Sequence, residues 1–383
     1  MKPKILYIAH ETGFNGASKS LLNIVEEFQD KYDIYVLIRG EGRLSEELKK
    51  HKCKIIIRNY YLDCEMKRSG MFGELIWLFK IIRYLICRRT INLLVANNIA
   101  KIVKEENIEL IHTNSSSTFM GAYISKITKI PHIWHFREFL WEDFRMIPML
   151  GWRYLYNIAS KSADKIICVS DAVLNKYKGV IHTDICRIYN GVPGNVCKLE
   201  KKKHETFNIL QAGIVSKVKG VDISIRAMRI LLDQGFDNIH LYLAGKGNLD
   251  FCKEDYDIPD VKSHVHVMGY LNNLREIREQ KMDIELVCSR SEAFGRVTVE
   301  AMQTGLVVIG ANTAGTAELV VDNENGLLFE CGNAVDLADK IKWAYKNQDH
   351  LYKLRKNALI TAAKFSIHNC TQQIEKLYTE ILV

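Results

Sequence analysis

Residues 291–318 read Ser291-Glu-Ala-Phe-Gly-Arg-Val-Thr-Val-Glu-Ala-Met-Gln-Thr-Gly-Leu-Val-Val-Ile-Gly-Ala-Asn-Thr-Ala-Gly-Thr-Ala-Glu318. The stretch holds a Gly-containing loop, a helical run over Val297–Thr304, an apolar strand over Leu306–Gly310 and a second Gly-containing turn ending at Glu318. Such a succession is a slice of a strand–helix repeat, the pattern of a parallel sheet covered by helices. Glu292 on the loop and Glu300 one turn into the helix stand eight positions apart. A helix N-terminus welcomes anions and a carboxylate accepts hydrogen bonds from a diol, so the segment suits a ligand with sugar hydroxyls and phosphates.

Outward from this segment the same alternation runs through the chain. Strands are predicted at Ile5–Ala9, Ile34–Ile38, Lys54–Ile57, Leu110–Thr113, His132–Phe136, Lys165–Ser170 and Cys186–Tyr189. A second series follows at Asn208–Ala212, His240–Ala244, His264–Met268, Ile284–Ser289, Leu306–Gly310 and Leu327–Phe329. At 383 residues the chain exceeds one ordinary core. The expected class is therefore α/β, with two doubly wound Rossmann-like domains facing an interdomain cleft. The turn-rich Asn190-Gly-Val-Pro-Gly-Asn195 and the charged stretch Lys198–Glu205 mark the joint, which sets domains at 1–194 and 195–369.

Composition bounds the function. With 48% apolar and 26% charged residues, the chain reads as a soluble globular protein. Its ten cysteines include no Cys-x-x-Cys pair, and Cys168 and Cys288 fall in apolar strands, which implies reduced thiols and a cytoplasmic setting. The opening Met-Lys-Pro-Lys-Ile-Leu-Tyr-Ile-Ala-His10 turns polar after a few apolar residues and reads as a first strand, not a signal peptide. Residues 1–200 hold 30 Lys+Arg against 21 Asp+Glu, while 201–383 hold 23 against 24. The basic excess lies wholly in the N-terminal half and points to an anionic surface or substrate there. No recognition motif accompanies it and the pI is only 8.8, which argues against nucleic acid as a partner.

Three further places carry chemistry. After the first strand, Gly13 and Gly16 allow a tight turn, and Ala17 opens a helix where a ligand's phosphate oxygens meet free N–H groups. The Gly-x-Gly-x-x-Gly dinucleotide spacing is absent. After the strand at 208–212, Gly213 leads to Lys219-Gly220 at a helix start, where a lysine supplies a point charge to a diphosphate. Met71–Thr90 is a helical run, too interrupted by charge to span a bilayer, with Lys80, Arg83 and Cys87 on one stripe and large apolar residues elsewhere. Residues 51–90 hold nine Lys+Arg and three Asp+Glu. An interfacial helix against an anionic membrane competes there with an ordinary helix packed on the sheet. No histidine pair has metal-ligand spacing on one helix face, so no metal is expected.

Taken together, Gly13–Ala17, Asn190-Gly-Val192, Gly213 with Lys219-Gly220, Ala244-Gly-Lys-Gly247, Met268-Gly-Tyr270, Ser289–Gly295, Glu300-Ala-Met, Gly315–Glu318 and Asn325–Phe329 resemble glycosyltransferase family 4. This is a family of retaining enzymes of the GT-B fold that use nucleotide sugars. The resemblance implies that Glu300 holds the nucleotide ribose, that Glu292 contacts the donor sugar near its anomeric carbon and that the amides of Phe294 and Gly295 line the sugar pocket. Lys219 would neutralise the leaving diphosphate, and Gly16, Gly213, Arg296, Val297 and Thr298 complete the donor side. His135 matches a histidine near the donor sugar, giving Glu292, Lys219 and His135 as the catalytic set. Gly13, Arg137 and Glu138 are the acceptor-side candidates, and 370–383 is a helix returning to the first domain. The family commonly has Arg right after Gly213, where this chain has Ile214; Lys217 and Arg296 are the candidates to take over its role.

The reaction implied is sugar transfer, without metal or other cofactor, from a UDP- or GDP-linked donor. The acceptor would be a lipid-linked or anionic glycan at the inner face of the plasma membrane, in capsule, O-antigen or teichoic-type polymer assembly. A GT-B epimerase or nucleotide-sugar hydrolase, and a non-catalytic GT-B partner in a membrane complex, are the competing expectations.

Overall fold

In a computed structural model of the chain, residues 2–67, 70–199 and 205–382 are described. Most of the charged stretch Lys198–Glu205 thus lies outside the described residues, as do Arg68 and Ser69 of the basic region 51–90. Contacts divide the chain into two compact units, Met1–Gly191 with Ile367–Val383, and Val192–Ser366. The divisions fall three residues before those expected at 194/195 and 369/370.

The first unit holds β1 (Lys4–Ile8), β2 (Asp33–Ile38), β3 (Cys53–Ile57), β4 (Cys64–Met66), β5 (Leu110–Thr113), β6 (His132–Phe136), β7 (Met146–Pro148), β8 (Lys165–Cys168) and β9 (Asp184–Arg187). Seven of them form a parallel sheet in the order β3-β2-β1-β5-β6-β8-β9. Strands such as Ile5-Leu6-Tyr7-Ile8 are buried on both faces, which is why they read as unbroken apolar runs. Phe28 of helix Gly16–Phe28 and Ile374 and Tyr378 of helix Ile367–Leu382 join Tyr7, Val36 and Ile133 in one core. The last helix therefore packs on this unit, as the resemblance implied. A Cβ on Gly191 would lie 2.5 Å from the Ile367 backbone, so a residue without a side chain is needed where that helix begins.

Two features were not foreseen. β4 and β7 pair as a short antiparallel ribbon, invisible in sequence because three-residue strands carry no periodicity. The helix expected over Met71–Thr90 runs on to Glu105, interrupted by a π turn at Tyr84–Arg88. That turn coincides with an anchoring point: Tyr84 is buried and donates to Asp63 Oδ1 at 2.5 Å, beside Tyr123 at 3.2 Å and Asn92 at 3.3 Å, while the Phe119 amide reaches Asp63 Oδ2 at 2.6 Å. Burial outweighs these four donors and pushes the Asp63 carboxyl up to about 6.

The second unit holds β10 (Phe207–Ala212), β11 (Ile239–Ala244), β12 (Val265–Gly269), β13 (Ile284–Val287), β14 (Val307–Ala311) and β15 (Leu327–Phe329), parallel throughout in the order β12-β11-β10-β13-β14-β15. Ile209, Leu241, Ile284, Leu286, Ile309 and Phe329 lie in its core. In both sheets the order of strands reverses once, between β1 and β5 and between β10 and β13. Loops diverge at such points and leave room for a ligand beyond the carboxyl ends of the strands.

Candidate functional site

At the switch point of the second sheet, Ala212 and Gly213 at the end of β10 and Val287 and Cys288 at the end of β13 line a pocket with Lys219 and Glu292 on its wall. The glycines shape it. Gly213 sits at φ +136°, and Gly220 at +68° lies so close to β13 that a Cβ would meet the Cys288 carbonyl oxygen at 2.0 Å. A Cβ on Gly245 would lie 1.7 Å from the Gly213 oxygen. The Lys219 turn is further held from below: Gln211 Nε2 donates to the Lys219 carbonyl at 2.9 Å, and Ser224 Oγ donates to Gln211 Oε1 at 2.6 Å.

Lys219 Nζ donates to Glu292 Oε2 at 2.6 Å, with both side chains partly exposed. These two residues, 73 positions apart in sequence, thus form one charged pair. Next along the loop, Gly295 at φ +96° turns the chain into helix Arg296–Gln303. The N–H groups of Thr298 and Val299 donate to the Gly295 carbonyl at 3.0 and 3.4 Å. The outward-facing amides at this helix start are therefore those before Thr298. Thr298 is fully buried, and its Oγ1 has no partner among the described residues. Phe294 is buried against Phe365, with its backbone so near Gly315 that a Cβ there would meet it at 2.6 Å. The Gly315 amide donates to the Glu292 carbonyl at 2.9 Å, which joins the two Gly turns of the opening segment.

Glu300 is held by two cations. Arg278 Nη1 lies 3.4 Å from its Oε2, and Arg296 Nη2 lies 3.7 Å from its Oε1. Arg278 also binds Glu285 in a fork at 2.7 and 2.8 Å, both side chains buried. Burial opposes charge on both, raising the Glu285 carboxyl, while Glu285 and Glu300 together hold the guanidinium above its ordinary range. A second fork, Arg290 to Asp222 at 2.9 and 2.7 Å, with a further bond to the Lys217 carbonyl, fastens the β13 loop to the helix after Gly220. Sequence reading missed Gln211, Ser224, Asp222, Arg278, Glu285 and Arg290, and the one signal was Gln211 and Glu285 as polar residues in apolar strands. Arg296 faces Glu300, and Lys217 is tied through its backbone. Ile214 is exposed on the pocket rim.

The candidates of the first unit occupy a different kind of place. Asn15 caps helix Gly16–Phe28 by accepting from the Ala17 amide at 3.2 Å, and its amide group in turn donates to Glu11, so the Gly13–Gly16 loop is an ordered helix entry. His135 on β6 is fully buried, and Arg137 and Glu138 nearly so. Glu138 Oε1 accepts from Ser115 Oγ at 2.5 Å and from the Ser116 amide and hydroxyl at 2.8 and 2.9 Å. Arg137 donates to Asn114 Oδ1 at 2.7 Å, to Asn190 Oδ1 and to His135 Nδ1 at 3.2 Å. These side chains brace the loops after β5 and β9. Among the described residues no group of three or more His, Cys, Asp or Glu is placed to hold a metal ion, and no helix is long and apolar enough to cross a membrane.

Comparison with known proteins agrees with this geometry in both units. The model of Glycosyltransferase Family 4 matches residues 14–194, and that of Glycosyl transferases group 1 matches residues 198–360. The chain is 30% identical over 285 residues to an uncharacterised glycosyltransferase of Methanocaldococcus jannaschii, covering 73% of this chain and 78% of that one. It is 26% identical over 272 residues to an O-antigen biosynthesis glycosyltransferase of Escherichia coli, covering 67% and 72%. Among solved structures, Anabaena HepE in complex with UDP and glucose matches with a TM-score of 0.77 at 21% identity, over 98% of this chain and 99% of that one. Two doubly wound units with these loops define a GT-B glycosyltransferase. The chain belongs to glycosyltransferase family 4. It is an enzyme that transfers a sugar from a nucleotide-diphosphate sugar to an acceptor.

Proposed function

We propose that the enzyme transfers its sugar with retention of configuration, from a UDP- or GDP-linked donor to a hydroxyl of a lipid-linked or anionic glycan, during surface-polysaccharide assembly. The observation that carries this reading is the Lys219–Glu292 pair at 2.6 Å on the wall of the β10/β13 pocket. When the donor binds, Lys219 exchanges Glu292 for the diphosphate and Glu292 turns to the sugar. Glu300, already oriented by Arg278 and Arg296, accepts from the ribose diol. The amides of Phe294, Gly295, Arg296 and Val297 line the sugar and phosphate sites, with Thr298 behind them and Gly213 giving the backbone room.

In the reaction the bond from the anomeric carbon to the diphosphate oxygen breaks, and a bond from the acceptor oxygen forms on the same face. The acceptor proton passes to the departing diphosphate. Negative charge grows on that diphosphate, and a fixed ammonium in a walled pocket stabilises it without reorganisation. Ile214 leaves one cation fewer here than is usual in the family, so Lys219 carries more of the load. Gly13 shapes the acceptor loop, and Arg137 and Glu138 act by holding the segment 114–118.

The acceptor class rests on the helix after Met71. Phe72, Leu75, Leu78, Phe79, Ile86 and Leu94 are all exposed, with Lys80, Arg83, Arg88 and Arg89 on the same helical stretch. Water does not favour so large an apolar face, and an anionic bilayer satisfies both features. Peripheral association with the inner leaflet follows. The E. coli relative is named for O-antigen biosynthesis, which agrees with a polymer built at a membrane.

The test is thermal shift of the purified protein with UDP, GDP, ADP and CMP, followed by NMR of the product's anomeric configuration. A rise for one diphosphate and an anomer matching the donor are expected. No rise with any of the four, or an inverted product, would contradict the proposal.

A further inference from the structure

One strand of the second sheet carries an acid where its neighbours are apolar. Glu285 lies on β13 between Ile284 and Leu286, beside Leu210 of β10 and Val308 of β14, and is fully buried. Its partner Arg278 comes from helix Leu274–Lys281, a polar helix whose buried residues are Ile277 and Arg278. Arg278 Nε and Nη2 close on the two oxygens of Glu285 at 2.7 and 2.8 Å, which leaves Nη1 to face Glu300 Oε2 at 3.4 Å. One guanidinium thus serves two carboxylates, one sealed in the sheet and one partly exposed.

Stability does not call for this arrangement. A carboxylate and a guanidinium taken out of water lose hydration that their attraction barely restores, and well-packed apolar residues of similar size commonly do as well or better. Glu285→Leu would merely continue the apolar run of Ile284, Leu286 and Val287. The other fork of this unit, Arg290 to Asp222, has an evident bracing task, because Arg290 also holds the Lys217 carbonyl. The Glu285–Arg278 fork leads instead to Glu300. That residue is held through Oε2, while Arg296 stands 3.7 Å from Oε1, beyond hydrogen-bond length. A carboxylate oxygen has two lone pairs, so Oε1 keeps both for a ligand and Oε2 keeps one.

We infer that Glu285 and Arg278 are positioning residues for Glu300. The buried acid orients the guanidinium, and the guanidinium fixes Glu300 in one rotamer, so that its carboxylate accepts from two neighbouring hydroxyls at once. The inference rests on the reading that Glu300 accepts from the ribose diol. A carboxylate already in place binds both hydroxyls without first losing side-chain freedom, whereas one free to turn forfeits part of that gain. The pair thereby sets how strongly the site prefers a ribonucleotide over its 2′-deoxy form, which offers one donor fewer. Both residues act through Glu300 without touching the nucleotide.

Calorimetric titration of UDP and GDP, each beside its 2′-deoxy form, into the full chain tests this. The native chain should bind the ribose form of its nucleotide about tenfold or more tightly than the deoxy form. Arg278→Met alone would strand a buried acid, so the informative variant is Glu285→Leu with Arg278→Met, which removes the pair and fills its space. It should melt at or above the native temperature, bind the deoxy form within about twofold of native and keep only about threefold of the ribose preference. Glu285→Gln preserves the shape and one acceptor, and should fold with a preference between the two. A ribose preference undiminished in these variants would overturn the inference and leave the pair a structural one. Glu300→Gln separates the underlying reading. If the native chain shows no preference, or Glu300→Gln leaves it intact, the placement of Glu300 at the ribose fails. A preference lost in Glu300→Gln but kept without the pair defeats the inference alone.

Discussion

The two switch points differ in how their polar residues are kept. In the second unit, Lys219, Glu292 and Glu300 are partly exposed and pair with one another or with cations that a ligand can displace or share. In the first unit, His135, Arg137 and Glu138 are buried, and Arg137 and Glu138 are bonded to the loops after β5 and β9. One site is built to exchange partners and the other to keep them. Substitutions in the second unit should therefore alter ligand binding and rate with the fold intact, whereas those in the first should register as stability or as geometry.

The sharpest way to break this contrast is Lys219→Ala. Loss of the cation opposite the leaving diphosphate should lower kcat by about 10²- to 10³-fold with an unchanged melting temperature. A large fall in stability would place Lys219 among the structural residues. Asp63→Asn is the mirror case. Four donors converge on its oxygens, and an amide nitrogen cannot accept from any of them, so a loss of about 1–3 kcal/mol in chemical denaturation is expected with little direct effect on donor binding. The pH dependence has a definite sign. Because the folded Asp63 carboxyl is raised to about 6, its contribution to stability is full below about pH 4 and is lost as the pH climbs through 6. Stability of the native chain over that window should decline relative to Asp63→Asn; a flat difference would count against the buried, proton-binding carboxyl.

A smaller effect sharpens the donor side. Glu300→Gln keeps the size of the side chain and removes its charge, and nucleotide affinity should fall about tenfold by titration calorimetry. The smallest is expected at the exposed helix. Phe72→Ser with Phe79→Ser should abolish sedimentation with anionic vesicles while transfer to a water-soluble acceptor holds steady. Retained sedimentation would assign the membrane contact elsewhere.

The same contrast explains what the sequence made legible. Both sheets were readable because parallel strands buried on two faces leave unbroken apolar runs, and each run predicted here matches a strand to within a residue or two. Gly213, Gly220 and Gly295 were legible because their turns need positive φ or a bare backbone. The braces were not: Arg290 meets Asp222 across 68 positions, and His112 meets Tyr378 across 266. Pairs of that kind depend on strand order and register, which local patterns do not record. The π turn at Tyr84–Arg88 likewise coincides with a partner, Asp63, lying in another element.

The central claim is that Lys219 serves the diphosphate and Glu300 the ribose within one pocket of the second unit. Calorimetric titration of the preferred nucleoside diphosphate and its monophosphate into the native chain, Lys219→Ala and Glu300→Gln tests it most directly. The account predicts that Lys219→Ala weakens the diphosphate about tenfold or more and spares the monophosphate, while Glu300→Gln weakens both by a similar factor. Equal losses for both nucleotides in Lys219→Ala, or none in Glu300→Gln, would contradict it.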